Sequence, residues 1–390
     1  MINRQPLFEQ IATVLRGEIL ARYKPGVRLE TTAALAERFQ VSRLTISQAL
    51  VVLNKEGLIE SRKGSGVYVS QREDRRHVAI LMDHDLSDPR LSFFFVRVSQ
   101  QLRDLFQSQG YPCRLYVGRT SAAELTPTLS CREFVEAAQA NQLRGVAVVL
   151  GVKHSEWTKP ALLNKVPVVG PPEYEYGVES DNLEMVRQGA EQLIKAGRRK
   201  IAFMAWQEKK NNNGGGWVQA LKASLRKAGV PVRDEWIRRE VHPSRPRAGW
   251  EEFREIWMAS GEKPDGLLVT DDLLMREATA AICETRARVP EQLMIVTHAN
   301  RGSGIYYPFP VWQMEYDPDA YARMTGEMLV ALIRKETPNR RRRTLPFQWV
   351  TPTTSDTTQF VRKPVHEKEK TTPPTGPVAV QWATLNPGST

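Results

Sequence analysis

The apolar positions between Leu35 and Leu53 change phase once. Leu35, Ala36 and Phe39 fall on one face of a short helix, and Val41 then stands at a break. Ser42 has N-cap chemistry, because its hydroxyl can accept an orphan helix amide. Ile46, Ala49, Leu50 and Leu53 line the next helix, whose opposite face begins with Arg43, Thr45, Ser47 and Gln48. Upstream, Leu7 to Ala21 is amphipathic and closes at Lys24-Pro25-Gly26. Downstream, Leu58–Arg62 and Val67–Val69 have strand character, with Gly64 and Gly66 licensing the turn and Arg62 and Lys63 at its tip. Two helices alone would fit any helical hairpin. With the first helix and the basic wing added, the pattern predicts a winged helix-turn-helix suited to a major groove.

From His77 the period changes. The unbroken run Val78–Met82 suits a strand covered on both faces. Helix (94–109), strand (114–117), helix (132–140), strand (145–150), helix (157–164) and strand (166–169) follow. A second round runs through helix (183–196), strand (200–205), helix (217–228), strand (267–270), helix (273–286) and strand (294–298). Alternation with short loops means parallel sheets flanked by helices. The predicted class is α/β: an N-terminal winged helix (α+β), then a two-lobed domain with two parallel sheets. The expected division is 1–70 for the winged helix, 71–76 for a charged linker, 77–355 for the two lobes and 356–390 for a disordered tail without core-forming periodicity.

Composition narrows the partners. The 390 residues carry a net charge of +11, which suits an anionic partner. Residues 1–76 hold 13 basic against eight acidic side chains. Arg340 to Arg343 reads as a solvated surface run rather than a second nucleic-acid site. Cys113, Cys131 and Cys283 describe neither a disulfide framework nor a zinc spacing. With no apolar leader and no membrane-length run, a cytoplasmic protein without membrane contact is expected. Asn211 to Gly216 lacks the Gly-Lys-Ser/Thr end of a phosphate loop. The histidines form no metal-ligand cluster, and no nucleophile elbow occurs, so neither a metal, a cofactor nor an enzymatic activity is expected.

The stretch Leu7–Val69 resembles the gluconate-repressor (GntR) family of bacterial transcription factors. The resemblance rests on Lys24-Pro25-Gly26, Leu35-Ala36, Val41-Ser42-Arg43, Gln48-Ala49-Leu50, Glu56-Gly57 and Gly64-Ser65-Gly66. Two arginines common in that family fall here on Ala33 and Ser47, so the family's operator preference does not carry over. Residues 77–355 resemble the effector domain of the lactose/galactose-repressor (LacI/GalR) family, itself similar to periplasmic sugar-binding proteins. The matching pieces include Val166-Pro167-Val168-Val169, Asp181-Asn182, Leu193 to Phe203, Gly216-Trp217, Pro264-Asp265-Gly266, Asp271-Asp272 and Val289-Pro290. The combination is similar to the arabinose repressor. It implies that the chain crosses between lobes near 170–180, 300–312 and 340–348, with a ligand cleft between them.

The candidate DNA-binding residues are Thr31, Thr32, Ser42, Arg43, Leu44, Thr45, Ser47 and Gln48, with Arg62, Lys63, Gly64, Ser65 and Gly66 on the wing. Ligands of such folds bind where loops leave the carboxyl ends of strands. That rule nominates His84, Asp85, Phe93, Phe94, Glu173, Tyr174, Asn213, Trp217, Asp271, Asp272, His298 and Asn300. Acids, amides and a flat aromatic suit a neutral polyol, with Trp217 or Phe94 stacking on its ring. Each is also readable as a surface loop or cap residue; Asp271 could simply cap a helix. The expected function is a bacterial DNA-binding transcription regulator, a repressor, binding double-stranded operator DNA as a homodimer under control of a small effector, a sugar. Two other readings stay open: a winged helix fused to a pyridoxal-phosphate enzyme-like domain, and a sugar-binding protein without regulatory role.

Overall fold

The computed structural model describes residues 6–62, 64–70, 76–88, 91–119, 131–150, 166–206, 216–243 and 245–352. The first helices are α1 (Leu7–Arg22), α2 (Thr32–Phe39) and α3 (Arg43–Lys55), followed by the antiparallel wing β1 (Ile59–Arg62) and β2 (Gly66–Val69). Ile11, Leu15, Ile19, Leu35, Ile46, Leu53 and Leu58 bury one shared core. The sharp turn between α2 and α3 is made by Gln40 in the left-handed region (φ 53°). Ser42 Oγ then starts α3 by accepting from the Thr45 amide at 3.1 Å.

The first lobe contains β3 (His77–Met82), α4 (Phe93–Ser108), β4 (Cys113–Val117), α5 (Arg132–Gln139), β5 (Leu143–Leu150), β6 (Val168–Gly170) and β7 (Tyr176–Ser180). Alternate residues of β3 serve different layers. Val78, Ile80 and Met82 join one core, while Ala79 and Leu81 join another with Tyr116 and Phe134. A strand covered on both faces has no position left for a polar residue, hence the apolar run.

The second lobe contains α6 (Asn182–Lys195), β8 (Ile201–Met204), α7 (Trp217–Lys227), β9 (Ile237–Arg238), α8 (Trp250–Met258), β10 (Gly266–Val269), α9 (Asp272–Glu284), β11 (Met294–Asn300) and β12 (Trp312–Tyr316). The chain then returns: α10 (Pro318–Ile333) packs on α4 and β5, and β13 (Arg342–Leu345) pairs with β7. Finally β14 (Phe347–Val350) pairs with β12. The strand orders are β4-β3-β5-β6-β7-β13 and β9-β8-β10-β11-β12-β14.

Three sequence expectations need correction. The crossings between lobes at 180–182 and 345–347 lie next to and within the expected ranges, but the middle one lies at 316–318, beyond the expected 300–312. Residues 176–180 form a further first-lobe strand, and 312–316 form a second-lobe strand where a crossing was expected. The second sheet is not wholly parallel, because β14 runs antiparallel at its edge. Helix α10, absent from the sequence reading, is capped by Asp317 with Pro318 at its first turn, where proline's missing N–H costs nothing. The predicted helix at 157–164, linker residues 71–75 and the tail from 353 lie outside the described residues.

Candidate functional site

The DNA-facing candidates divide by what their side chains already do. Ile46 and Ala49 are fully buried, which turns Arg43, Leu44 (69% exposed), Ser47 and Gln48 outward. Ser42 and Thr45 share a hydroxyl hydrogen bond at 2.8 Å, and Ser47 Oγ donates to the Arg43 carbonyl at 2.9 Å. These hydroxyls are engaged in their own helix. The Arg43 and Gln48 side chains make no such bond among the described residues and are free to reach base edges. Thr31 caps α2 through the Ala34 amide, and Thr32 follows it. On the wing, Arg62 donates to Glu60 at 2.6 Å and lies 4.4 Å above the Tyr68 ring. Its charge is thus partly answered within the hairpin. Gly64 and Gly66 have φ of 75° and 120°, and Ser65 bonds the Tyr68 hydroxyl at 2.7 Å. Lys63 lies outside the described residues. The sequence reading missed Arg28, which pairs with Tyr68 and whose exposed guanidinium lies against Gly66. Its placement after Lys-Pro-Gly, between apolar Val27 and Leu29, was an available signal.

In each lobe the first strand lies between the second and the third, so the strand order reverses beside it, which is where open α/β sheets bind their ligands. In the first lobe this places Asp83, His84 and Asp85 after β3; in the second it places Thr270, Asp271 and Asp272 after β10. Asp272 is the hub. Asn300 Nδ2 donates to Asp272 Oδ2 at 2.9 Å and reaches Ser92 Oγ, across the cleft, at 3.4 Å. His298 Nδ1 stands 4.0 Å from Asp272 Oδ1. Asp272 Oδ1, His298 Nδ1 and the Tyr307 hydroxyl are all buried without a hydrogen-bond partner. Burial lowers the His298 pKa, partly offset by Asp272, which favours the neutral imidazole. Burial and both carboxylates push the Tyr307 phenol up, keeping it a donor.

Asp271 accepts the Leu273 and Leu274 amides at 2.9 and 3.0 Å, so it is the cap of α9. Burial, then the neighbouring Asp272, raises its pKa to about 7 against the pull of those amides. On the opposite wall His84 is buried, 3.8 Å from Asp88. Asp85 is held below the usual carboxylate range by the Ser87 hydroxyl and amide, with which it closes a turn. Phe93 is 36% exposed and its ring arrives at Gly302 of the other lobe, 3.6 Å from where a Cβ would sit.

Other nominated residues are placed elsewhere. Phe94 packs edge-on against Phe95 and Tyr321, and Trp217 is 3% exposed in the same core. Neither ring presents a face to the cleft, so the stacking platform expected of them is not formed. Tyr174 is buried over Gly170, and Glu173 beside it is exposed. Asn213 lies outside the described residues. Ser92 and Tyr307 were missed, although a serine before an aromatic helix start is a readable cap. Among the described residues no cluster fit to hold a metal occurs, and no helix is long and apolar enough to cross a membrane.

These two surfaces belong to a winged helix-turn-helix headpiece and to a two-lobed domain with two largely parallel sheets. Residues 7–69 match the gntR family of bacterial regulatory proteins, and residues 190–355 match the periplasmic binding protein-like domain. The chain therefore joins a segment that matches the gntR family to one that matches the periplasmic binding protein-like domain. Over 92 residues it is 40% identical to the mannosyl-D-glycerate transport/metabolism system repressor MngR of Escherichia coli, covering 22% of this chain and 38% of that protein. Over 115 residues it is 30% identical to the repressor PurR of Yersinia pestis, covering 30% of this chain and 33% of that protein. The chain thus matches only about a third of these relatives' length. The fold is similar to that of the regulator CelR in complex with cellobiose (TM-score 0.57, 18% identity, 89% of this chain and 99% of that one). It is also similar to the regulator Cra of Pseudomonas putida in complex with fructose 1-phosphate (TM-score 0.55, 18% identity, 72% and 100%).

Proposed function

We propose that this protein is a bacterial transcription regulator, a repressor, that binds operator DNA as a homodimer and is controlled by a neutral polyhydroxylated ligand in its cleft. The observation that carries the reading is the trio of unpartnered buried polar atoms around Asp272, on a chain whose headpiece turns Arg43 and Gln48 outward. Phosphate contacts supply affinity, and Arg43 and Gln48 read bases. In the cleft, a carboxylate oxygen, a neutral imidazole and a phenol suit hydroxyl groups that both donate and accept. Similar folds hold a neutral sugar in CelR and a sugar phosphate in Cra, so the fold does not choose between them. The charges do. Asp272 keeps one buried oxygen without a partner, and the neighbouring Arg276 is half-exposed and already paired with Glu277, so an anion beside Asp272 meets a like charge at a cost of several kcal/mol. By linkage, an inducing ligand binds the DNA-free form more tightly. The test has two stages. Genomic fragments retained by the full-length protein are sequenced, and neutral and phosphorylated sugars are then titrated by calorimetry. Retention of no preferred fragment refutes the regulator reading; tight binding of a phosphorylated sugar alone, unchanged by Asp272→Asn, refutes the ligand class.

A further inference from the structure

Helices α4 and α10 lie side by side. Gly326 of α10 admits Leu105 of α4, 2.9 Å from where a Cβ would sit, and Arg97 near the start of α4 pairs with Asp319 near the start of α10 at 2.7 Å. Both helices begin at the junction of the lobes. Ser92, the cap of α4, is reached by Asn300 of the second lobe. Asp317, the cap of α10, accepts from Arg301 of the second lobe at 2.7 Å. Each helix is 16 residues long, a rod of roughly 24 Å.

Both also end at the same place, under the headpiece. Just past α4, the Gln109 carbonyl accepts from Arg16 of α1, and the Tyr111 hydroxyl donates to Glu56 at 3.1 Å. At the end of α10, Arg334 Nε stands 3.5 Å from the same Glu56 oxygen. Arg16 completes the cluster with two bonds to Glu56, at 2.8 and 2.6 Å, and lies 4.4 Å above the Tyr111 ring. The Arg16 and Glu56 side chains are wholly buried. Gly110, at φ 75°, sits so close to α1 that a Cβ would stand 2.9 Å from the Thr13 carbonyl oxygen. Glu56 follows directly on the recognition helix α3. One buried carboxylate therefore accepts from Arg16 of the headpiece and from Tyr111 past one rod, and faces the Arg334 guanidinium at the end of the other.

We propose that Gln109, Gly110, Tyr111 and Arg334 form a docking site for the headpiece, and that Glu56 is a latch through which lobe movement holds or releases the recognition helix. A buried carboxylate is tolerated only while its donors stay in place. A shift of α4 or α10 that withdraws Tyr111 or Arg334 leaves Glu56 under-compensated and favours undocking. The docking stands on this geometry alone; the control of DNA binding rests on the function proposed above.

The test uses the full-length protein with two independent perturbations on the effector side. Tyr111→Phe combined with Arg334→Met removes the effector-side donor and the effector-side charge, and Gly110→Ala adds bulk against Thr13 without changing charge. Small-angle scattering and amide exchange read docking without reference to DNA or ligand. Wild type is expected to scatter as one compact body. Each variant is expected to increase the radius of gyration by several ångström and to speed exchange in α1 by about tenfold or more. Retention of the effector domain's melting transition separates undocking from misfolding. Wild-type scattering from two independent bodies, or variants that stay compact with unchanged exchange, overturns the docking site. Binding to a random-sequence DNA duplex without ligand then reads control: undocked variants should differ from wild type by fivefold or more. Equal affinity in a demonstrably undocked variant overturns the latch. No DNA binding by wild type removes the function proposed above and the control with it, while the scattering still decides the docking.

Discussion

Asp272→Asn should stabilise the protein at pH 8 relative to its effect at pH 5. Asp271 has its pKa raised from 3.8 to about 7 because burial and Asp272 both disfavour its ionised form. A carboxyl raised in the folded state contributes stability that is full below about pH 4 and is lost as the pH climbs to 7 and beyond. At roughly 1.4 kcal/mol per pH unit the whole shift corresponds to about 4 kcal/mol. Burial is the larger cause and Asp272 the second, so removing the neighbour's charge recovers part of the shift, on the order of 1–2 kcal/mol. At pH 5 Asp271 keeps its proton and the substitution relieves no repulsion. Only the charge-assisted bond from Asn300 is weakened, and that loss is common to both pH values. At pH 8 the substitution removes the repulsion as well. The stability difference between variant and wild type should therefore move by about 1–2 kcal/mol in the variant's favour from pH 5 to pH 8. Urea unfolding followed by tryptophan fluorescence at both pH values measures it. A difference independent of pH, or one moving the other way, refutes the repulsion argument.

Three further outcomes follow from single contacts. Arg43→Ala should weaken binding to the selected operator by about 1–3 kcal/mol in gel-shift titration without altering the melting temperature, because the side chain is exposed and bonds nothing in the headpiece. Tyr307→Phe should leave the fold intact, since its hydroxyl has no protein partner, but lower affinity for a neutral sugar found in the calorimetric screen by about 0.5–1.5 kcal/mol. Gly249→Ala should destabilise by more than about 2 kcal/mol in urea, because φ is 97° there and a Cβ would run into the Leu274 carbonyl oxygen.

The headpiece was legible because its determinants are local. Thr31 and Ser42 cap the helices that the apolar phase predicts, and the wing glycines adopt the positive φ that their turn requires. The strand ends were legible from the alternation of elements, which put residues 84–85 and 271–272 just after strands. Which aromatic faces the cleft was not. Phe93, Phe94 and Phe95 succeed one another at about 100° around α4, so only the helix's final rotation turns Phe93 to Gly302 and Phe94 to Tyr321. Helix α10 escaped notice although Asp317-Pro318 marks its start. It is buried along much of its circumference, from Tyr321 and Ala322 to Leu329, Val330 and Ile333, and a helix covered on several sides shows little apolar periodicity. Contacts such as Glu56 with Tyr111 and Arg334 join residues far apart in sequence, and no local pattern announces them.

The caps of the cleft helices sharpen the question of ligand charge. A helix N-terminus attracts anions when its first amides are free. At α9 the Leu273 and Leu274 amides are already bonded to Asp271, so they are not free to cradle an incoming anion. At α4 the Phe94 amide is held by the neutral Ser92 hydroxyl at 3.3 Å, which Asn300 also approaches. Only α7 among these starts, after Gly216, carries no side-chain cap. A neutral polyol needs none of these ends and can bond directly to Asp272, His298 and Tyr307. An acidic ligand meets the Asp272 carboxylate in that trio. The two cases give different footprints. Asp272→Asn should weaken a neutral ligand by about 0.5–1.5 kcal/mol, because an amide accepts a hydroxyl less strongly than a carboxylate does. The same change should strengthen an anion by removing a like charge. The sign of that single response identifies the ligand's charge before its chemical identity is known.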